Sequence, residues 1–212
     1  MKYNFKIREK EANWNDETGE FFIEDKLVNL SSLTQTDVAY LNKLIRDTIP
    51  KGDYLKLNLG CGHRPDVYSI NLDYDPTCFP DVIRDISEGL PFDSDKFNEV
   101  YSSHVIEHVK DVFFYMYEIW RVTKNKGKVM IICPNGTNLN ASIQPDHVRY
   151  VNWSYFDRWR PEHISVQTEL KQTRGAFFNI VSRELINEER ELKFVLEVVK
   201  FEEKEKEEKK NE

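Results

Sequence analysis

Residues 55–63 begin as a short apolar run, Leu55-Lys56-Leu57-Asn58-Leu59, and break off into Gly60-Cys61-Gly62-His63. Two closely spaced glycines at the end of a strand build a turn whose backbone can approach a ligand closely and adopt torsion angles that a side chain forbids. Three further runs follow in order: Asn71-Leu72-Asp73 closes the second, Asp85 closes the third, and Phe97-Asn98-Glu99-Val100-Tyr101-Ser102-Ser103 forms the fourth. A strand, a glycine turn and an acid at the end of the next strand make the opening unit of a ligand-binding α/β sheet.

The alternation continues along the chain. Apolar and β-branched patterning predicts strands at Tyr54 to Leu59, Tyr68 to Leu72, Val82 to Arg84, Glu99 to Ser102 and Lys128 to Cys133. Between the last two, Val112, Tyr115, Met116, Ile119 and Trp120 recur at helical spacing as one buried stripe, which Asn125-Lys126-Gly127 should stop. Strands alternating with helices imply a mostly parallel sheet covered on both faces. Beyond Pro134 the pattern changes to a loop, a short helix at Tyr155 to Trp159, and strand candidates near Ser165 to Leu170 and Leu192 to Val199 that would pair as an antiparallel edge. The expected fold class is therefore α/β, a Rossmann-like doubly wound sheet with an antiparallel C-terminal edge. Upstream, Thr36 is a candidate cap for a helix carrying Val38, Leu41 and Ile45 on one face. Residues 1–33 carry no clear pattern despite apolar patches such as Phe21-Phe22-Ile23, and residues 202–212 are a charged run with nothing to bury. The expected division is an N-terminal extension over 1–53, a ligand-binding domain over 54–200 and a tail over 201–212.

A dinucleotide fingerprint needs a third glycine where the helix packs on the strand and an acid about 20 residues beyond the first. Pro65 stands at the third position and Asp73 comes only thirteen residues after Gly60, so both features count against NAD. A formal net charge of -7 over 212 residues argues against a broad nucleic-acid-binding face. Cys61, Cys78 and Cys133 form an odd set without metal-type spacing, which suggests a reducing compartment and no disulfide framework. No run approaches the ~18 apolar residues of a membrane span, and the first residues lack a signal core, so a cytoplasmic location is expected.

The ordered set Asn58-Leu59-Gly60-Cys61-Gly62, Asn71-Leu72-Asp73, Asp85 with Leu90-Pro91-Phe92, and Ser103 resembles the class I S-adenosylmethionine-dependent methyltransferases, in their shorter-loop branch with LNLGCG followed closely by NLD. The resemblance covers roughly residues 54–134 and is weaker to about residue 160. It implies that Gly60, Cys61 and Gly62 pack against the cofactor and that Asp73 accepts from its ribose diol, a task suited to a carboxylate with two oxygens. It also implies that Asp85 accepts from the adenine amino group, that Ile86 borders the ring, and that Ser103 and His104 line the rim near the methyl group. A turn role for Asp73 and a capping role for Asp85 are the plain alternatives. The chain departs from the family where an acid usually stands two residues before the first glycine: Asn58 occupies that place. It departs again where about eight residues separate Gly62 from the core of the second strand, too few for a crossover with a full helix.

His104-Val105-Ile106-Glu107-His108 reads H-x-x-E-H, a zinc-peptidase signature when both histidines lie on one helix. Its position directly after the fourth strand favours the cofactor rim, and no metal is assigned. The same position lacks the N/D-P-P-Y segment that holds a target nitrogen in methyltransferases acting on DNA bases or glutamine. Gln144-Pro145-Asp146-His147-Val148-Arg149-Tyr150 is similar to a loop crossing the acceptor pocket in related enzymes. His147 is then a candidate general base and Arg149 a candidate anchor for an acidic substrate; equally, Asp146 caps a helix and His147 faces solvent. The reading is a methyltransferase using S-adenosylmethionine on an oxygen or nitrogen of a small-molecule acceptor or a glycan or lipid precursor. The alternatives are a catalytically silent scaffold of the same fold and, more remotely, a zinc-dependent hydrolase.

Overall fold

The computed structural model describes residues 55–163 and 171–201, together with four strands between residues 2 and 27. Those four strands, β1 (Lys2–Ile7), β2 (Lys10–Asn15), β3 (Glu20–Ile23) and β4 (Lys26–Leu27), form their own antiparallel sheet in sequential order. The apolar patch Phe21-Phe22-Ile23 lies in β3. The expected helix beginning at Thr36, the strand expected at 165–170 and the tail at 202–212 lie outside the described residues.

The main sheet has seven strands: β5 (Lys56–Leu59), β6 (Ile70–Asp73), β7 (Val82–Ile83), β8 (Phe97–Ser103), β9 (Thr123–Pro134), β10 (Phe177–Ile186) and β11 (Glu191–Val199). Their order is β10-β11-β9-β8-β5-β6-β7, and every pairing from β9 to β7 is parallel. Only β11 runs against its neighbours, inserted between β9 and β10. The order reverses between β5 and β8, which places a ligand crevice at the carboxyl ends of those two strands. Leu57, Asn58 and Leu59 are all buried, as expected for a central strand covered on both faces.

The helix α1 (Val112–Val122) connects β8 to β9 and buries the Val112, Tyr115, Met116 and Ile119 stripe. The Asp111 carboxylate accepts from the Phe114 N–H at 2.9 Å and starts the helix. The chain turns directly into β9 at Thr123, whose hydroxyl donates to the Ile119 carbonyl at 2.6 Å, so the helix stops before the expected Asn125-Lys126-Gly127. Trp120 is only partly buried, and its indole N–H donates to Val199 at 2.8 Å, tying α1 to the end of β11.

The Leu90-Pro91-Phe92 segment is clamped onto α1. Arg121 donates to the Phe92 and Leu90 carbonyls at 2.7 and 2.9 Å, while Glu118 accepts from Leu90 N–H at 2.7 Å and pairs with Arg121. Burial raises the Glu118 carboxyl, but the Arg121 hydrogen bond and the Leu90 amide outweigh it and hold the group below its ordinary range.

The first crossover contains no helix, as its shortness requires. Residues 60–69 join β5 to β6 as a loop held by two buried asparagines. The Asn58 side-chain amide donates to Asn71 Oδ1 at 2.9 Å and to the Arg64 carbonyl at 3.4 Å. Asn71 in turn accepts from Asp66 N–H at 2.7 Å and donates to the Asp66 and Ser69 carbonyls. These bonds fix the loop where a helix would otherwise have packed on the sheet.

In the C-terminal hairpin Leu192–Val199 pairs with Phe177–Ile186 through the register Leu185↔Leu192 to Phe177↔Val199. Its turn holds Asn187, Glu188 and Glu189 at φ of 51°, 57° and 64°, left-handed backbone without a glycine.

Candidate functional site

Gly60 has φ +70°, and a Cβ added there would lie 2.3 Å from Val105 Cγ2, so the glycine turn packs directly against the segment that follows β8. Gly62 has φ +48°, and a Cβ there would meet nothing within 4 Å, so space lies open over the second half of the turn. The amides of this turn are all engaged within the protein. Gly60 and Cys61 N–H both donate to the Leu72 carbonyl at 2.8 and 3.1 Å, and Gly62 N–H donates to Asp73 Oδ2 at 2.8 Å. A pyrophosphate cradle needs such amides free. The turn therefore fits a ligand without phosphate.

Asp73 is buried, and its second oxygen accepts from Asp75 N–H at 3.0 Å. Each carboxylate oxygen thus carries one backbone bond and keeps further acceptor capacity. Asp85 is exposed and caps the short turn Ile86–Glu88 through Ser87 N–H at 2.8 Å, the bond that holds its carboxyl below the ordinary range. Ile86 packs partly against the core beside it. Asn58 is buried with its amide nitrogen in the loop network described above. Cys61 is buried, and Ser103, the last residue of β8, is half-buried at the switch point.

A cavity of about 390 Å³ opens beyond the ends of β8 and β9, lined by His104, Glu107, His108, Asp146, His147, Arg190 and Glu191 among others. The H-x-x-E-H run does not form a continuous α-helix there. His104 takes φ 56°, and only Ile106–His108 make a single 3-10 turn, so the two histidines do not share a helical face as the peptidase signature requires. His104 lies between two carboxylates, with Nδ1 3.2 Å from Glu107 and Nε2 3.2 Å from Glu191. The Glu107 hydrogen bond raises its pKa against the opposing effect of burial, and Glu191 adds to the rise.

The loop after β9 folds back over this turn. Asn135 bridges Val151, and Gly136 N–H donates to the Val151 carbonyl at 2.7 Å, closing the intervening residues into a compact loop. Val148 N–H donates to the Glu107 carbonyl at 2.9 Å, and His108 contacts the Asp146 carboxylate at 3.2 Å. The His108 and His147 rings meet edge to face at 4.9 Å. Asp146 therefore faces His108 and does not cap a helix, since no helix follows it. Arg149 also differs from its expected place: it donates to the Val109 and Lys110 carbonyls at 2.9 and 2.8 Å, fastening the loop to the chain before α1.

Glu191 and Arg190 were not indicated by the sequence. Glu191 reaches the site because β11 pairs it with Pro134, a long-range register that carries no local signal.

An α/β sheet with a switch-point glycine turn, an acid ending the next strand and an adjoining polar cavity is the arrangement of a ligand-binding doubly wound fold. The methyltransferase domain family model matches residues 70–131. The matched segment runs from β6 into β9 and supports a fold of the class I S-adenosylmethionine-dependent methyltransferase type, which implies S-adenosylmethionine as cofactor. No curated protein sequence matches it. Among solved structures, the [4+2]-cyclase SpnF is similar at 12% identity and a TM-score of 0.50, over 76% of this chain and 80% of that one. An S-adenosylmethionine-dependent methyltransferase from Mesorhizobium loti is similar at 18% identity and a TM-score of 0.44, over 73% and 96%. One from Archaeoglobus fulgidus is similar at 17% identity and 0.45, over 74% and 93%. The open space above Gly62, the phosphate-free turn and the spare acceptor capacity of Asp73 fit this cofactor. No helix among the described residues is long and apolar enough to cross a membrane.

Proposed function

We propose that the protein transfers a methyl group to an oxygen or nitrogen of a small polar acceptor bound in the cavity beside the glycine turn. The acceptor class includes hydroxyl- or amine-bearing small molecules and glycan or lipid precursors. The observation that carries this reading is the contact between Gly60 and Val105. Val105, which packs on the turn, lies between His104 and Glu107 of the cavity lining.

When bound, S-adenosylmethionine supplies an electrophilic methyl group on a sulfonium. In this reading Asp73 accepts from the ribose diol, Gly60, Cys61 and Gly62 form the floor of the site, and Ile86 and Asp85 face the adenine. Asn58 has exchanged the family's acid for a structural amide, and the carboxylates of the cavity supply negative charge in its place. An acceptor O–H or N–H must lose its proton as the new bond to carbon forms. His147 is the proton acceptor of this reading: its Nδ1 faces the Ala141 carbonyl at 2.8 Å, which can only accept, so the neutral ring keeps its lone pair on Nε2. Positioning in the enclosed loop supplies much of the remaining rate.

Calorimetry tests the cofactor and a methyl-labelled cofactor screen against cell-extract metabolites tests the acceptor. S-adenosylhomocysteine should bind and NAD should not. Asp73→Ala should lower the affinity by about 1–3 kcal/mol, the cost of removing a charged hydrogen-bond partner. NAD binding with no response to S-adenosylhomocysteine would overturn the reading.

A further inference from the structure

We infer that Glu107, His108 and His147 form a binding site for one divalent transition-metal ion, of the zinc or manganese class, in the wall of the acceptor cavity. One ligand atom from each of the three lies within 4.8 Å of the others. Tetrahedral coordination at metal–nitrogen distances near 2.0–2.1 Å requires ligand separations of about 3.3 Å, so the three ligand atoms would have to draw together by up to about 1.5 Å to hold an ion.

In each of the three residues one donor atom is left available to an ion. Glu107 is only 1% exposed, and its Oε2 has no hydrogen-bond partner among the described residues, while Oε1 is held by His104 at 3.2 Å. A buried carboxylate oxygen without a partner is costly unless something binds it. His147 Nδ1 bonds the Ala141 carbonyl at 2.8 Å, and His108 Nδ1 lies 3.3 Å from the Asp146 carbonyl. Carbonyl oxygens only accept, so in the neutral form of each ring these contacts favour the hydrogen on Nδ1 and the lone pair on Nε2. Metal-bound histidines show this pattern: the second ring nitrogen donates to a carbonyl or carboxylate and fixes the tautomer.

The donor set is two imidazoles and one carboxylate, a combination that suits zinc and other first-row metals and leaves a position open to the cavity. The site differs from the peptidase signature in its residues. His104 holds Glu107 from behind, and the second histidine comes from the loop after β9. Metal binding stands on this geometry alone. Its consequence, that the ion holds an acceptor oxygen and makes its proton easier to lose, rests on the methyl-transfer reading. With the ion bound, the His147 lone pair is occupied, and the acceptor's proton passes to solvent water in the open cavity instead of to the imidazole.

The test uses the full chain, stripped with chelator and titrated with Zn²⁺ and Mn²⁺ against a metal indicator, with Co²⁺ absorption as a readout independent of stability. One equivalent should bind, and Glu107→Gln and His147→Ala should each weaken binding at least tenfold, whereas His63→Ala should not. Glu107→Gln preserves shape, and its folding is checked by thermal melting. Failure of the unaltered chain to hold one equivalent, or undiminished binding in both variants, would overturn the site. S-adenosylhomocysteine calorimetry on the same samples keeps the two readings apart. Metal binding without cofactor binding supports the ion site and refutes methyl transfer; cofactor binding without metal does the reverse.

Discussion

Gly60 and Gly62 sit two residues apart with similar backbone, yet replacing each with alanine should damage different properties. Both have positive φ, so an alanine costs about 1–2 kcal/mol at either position from left-handed backbone strain. At Gly60 the new methyl also meets Val105 Cγ2 at 2.3 Å, far inside contact, and the Val105 Cβ and Cγ1 lie at 3.5 and 3.6 Å. Val105 is β-branched and stiff, so relief requires backbone movement, which adds about 1–3 kcal/mol for overpacking. Gly60→Ala should thus lose roughly 2–5 kcal/mol, a large share of a domain stability of about 5–15 kcal/mol. Gly62→Ala should lose only the strain component, because nothing lies within 4 Å of its Cβ.

Binding should follow the opposite order of informativeness. The methyl of Gly62→Ala enters the open space assigned to the cofactor, so S-adenosylhomocysteine affinity should fall at least tenfold in a protein that still melts near its original temperature. Urea denaturation gives the stabilities and calorimetry the affinities. Equal stability loss in the two variants would refute the packing argument at Gly60. Unchanged affinity in Gly62→Ala would refute the placement of the cofactor over the turn.

Glu118→Gln should destabilise the protein at neutral pH by about 1.5–3 kcal/mol, the value of hydrogen bonds to a charged group. The folded carboxyl lies below its unfolded value, so this stabilisation is complete above the unfolded pKa of about 4.3 and disappears as pH falls through the folded value; the melting-temperature gap between variant and parent should close below about pH 4. A gap constant from pH 7 to 3 would show that the charge is immaterial. Arg149→Ala should lower stability by about 2 kcal/mol, since it releases backbone carbonyls at the start of α1. His147→Ala should leave stability and S-adenosylhomocysteine affinity nearly unchanged while reducing transfer to the acceptor. Identical behaviour of these two variants would show that the loop acts as one structural unit.

The parallel half of the sheet was legible because each strand carries its own local signal. β5, β6 and β8 are apolar runs bounded by glycine, acid or turn residues, and the α1 stripe has helical period over its whole length. β10 was not legible, although Phe177, Phe178, Ile180 and Val181 suit a strand, because its turn into β11 uses Asn187, Glu188 and Glu189 where a hairpin is ordinarily announced by glycine. The site divided along the same line. His104, Glu107, His108 and His147 were visible as residue types in suggestive positions, but which of them meet depends on the fold-back of the loop after β9. The motif suggested His104 with His108, and the structure brings together His108 with His147. Glu191 depends on a strand register, and Asn58 on a loop length, so neither role had a local signature.

The short first crossover also bears on why the turn suits a cationic cofactor. In a dinucleotide fold the helix after the glycine turn presents its positive N-terminal end and free amides to the pyrophosphate. Here residues 60–69 form no helix, and the amides of Gly60, Cys61 and Gly62 point back to the end of β6. The positive field and the donors that favour an anion are both absent at this turn. On the other side of Val105, Glu107, Asp146 and Glu191 face the cavity, with Arg190 as the opposing cation among its lining residues. With no ion on Glu107, these three carboxylates outnumber Arg190 in the lining, which favours a sulfonium over a phosphate. Replacing the helix with a loop pinned by Asn58 and Asn71 thus keeps Asp73 in place at the end of β6 while removing the features that would attract a phosphate ligand.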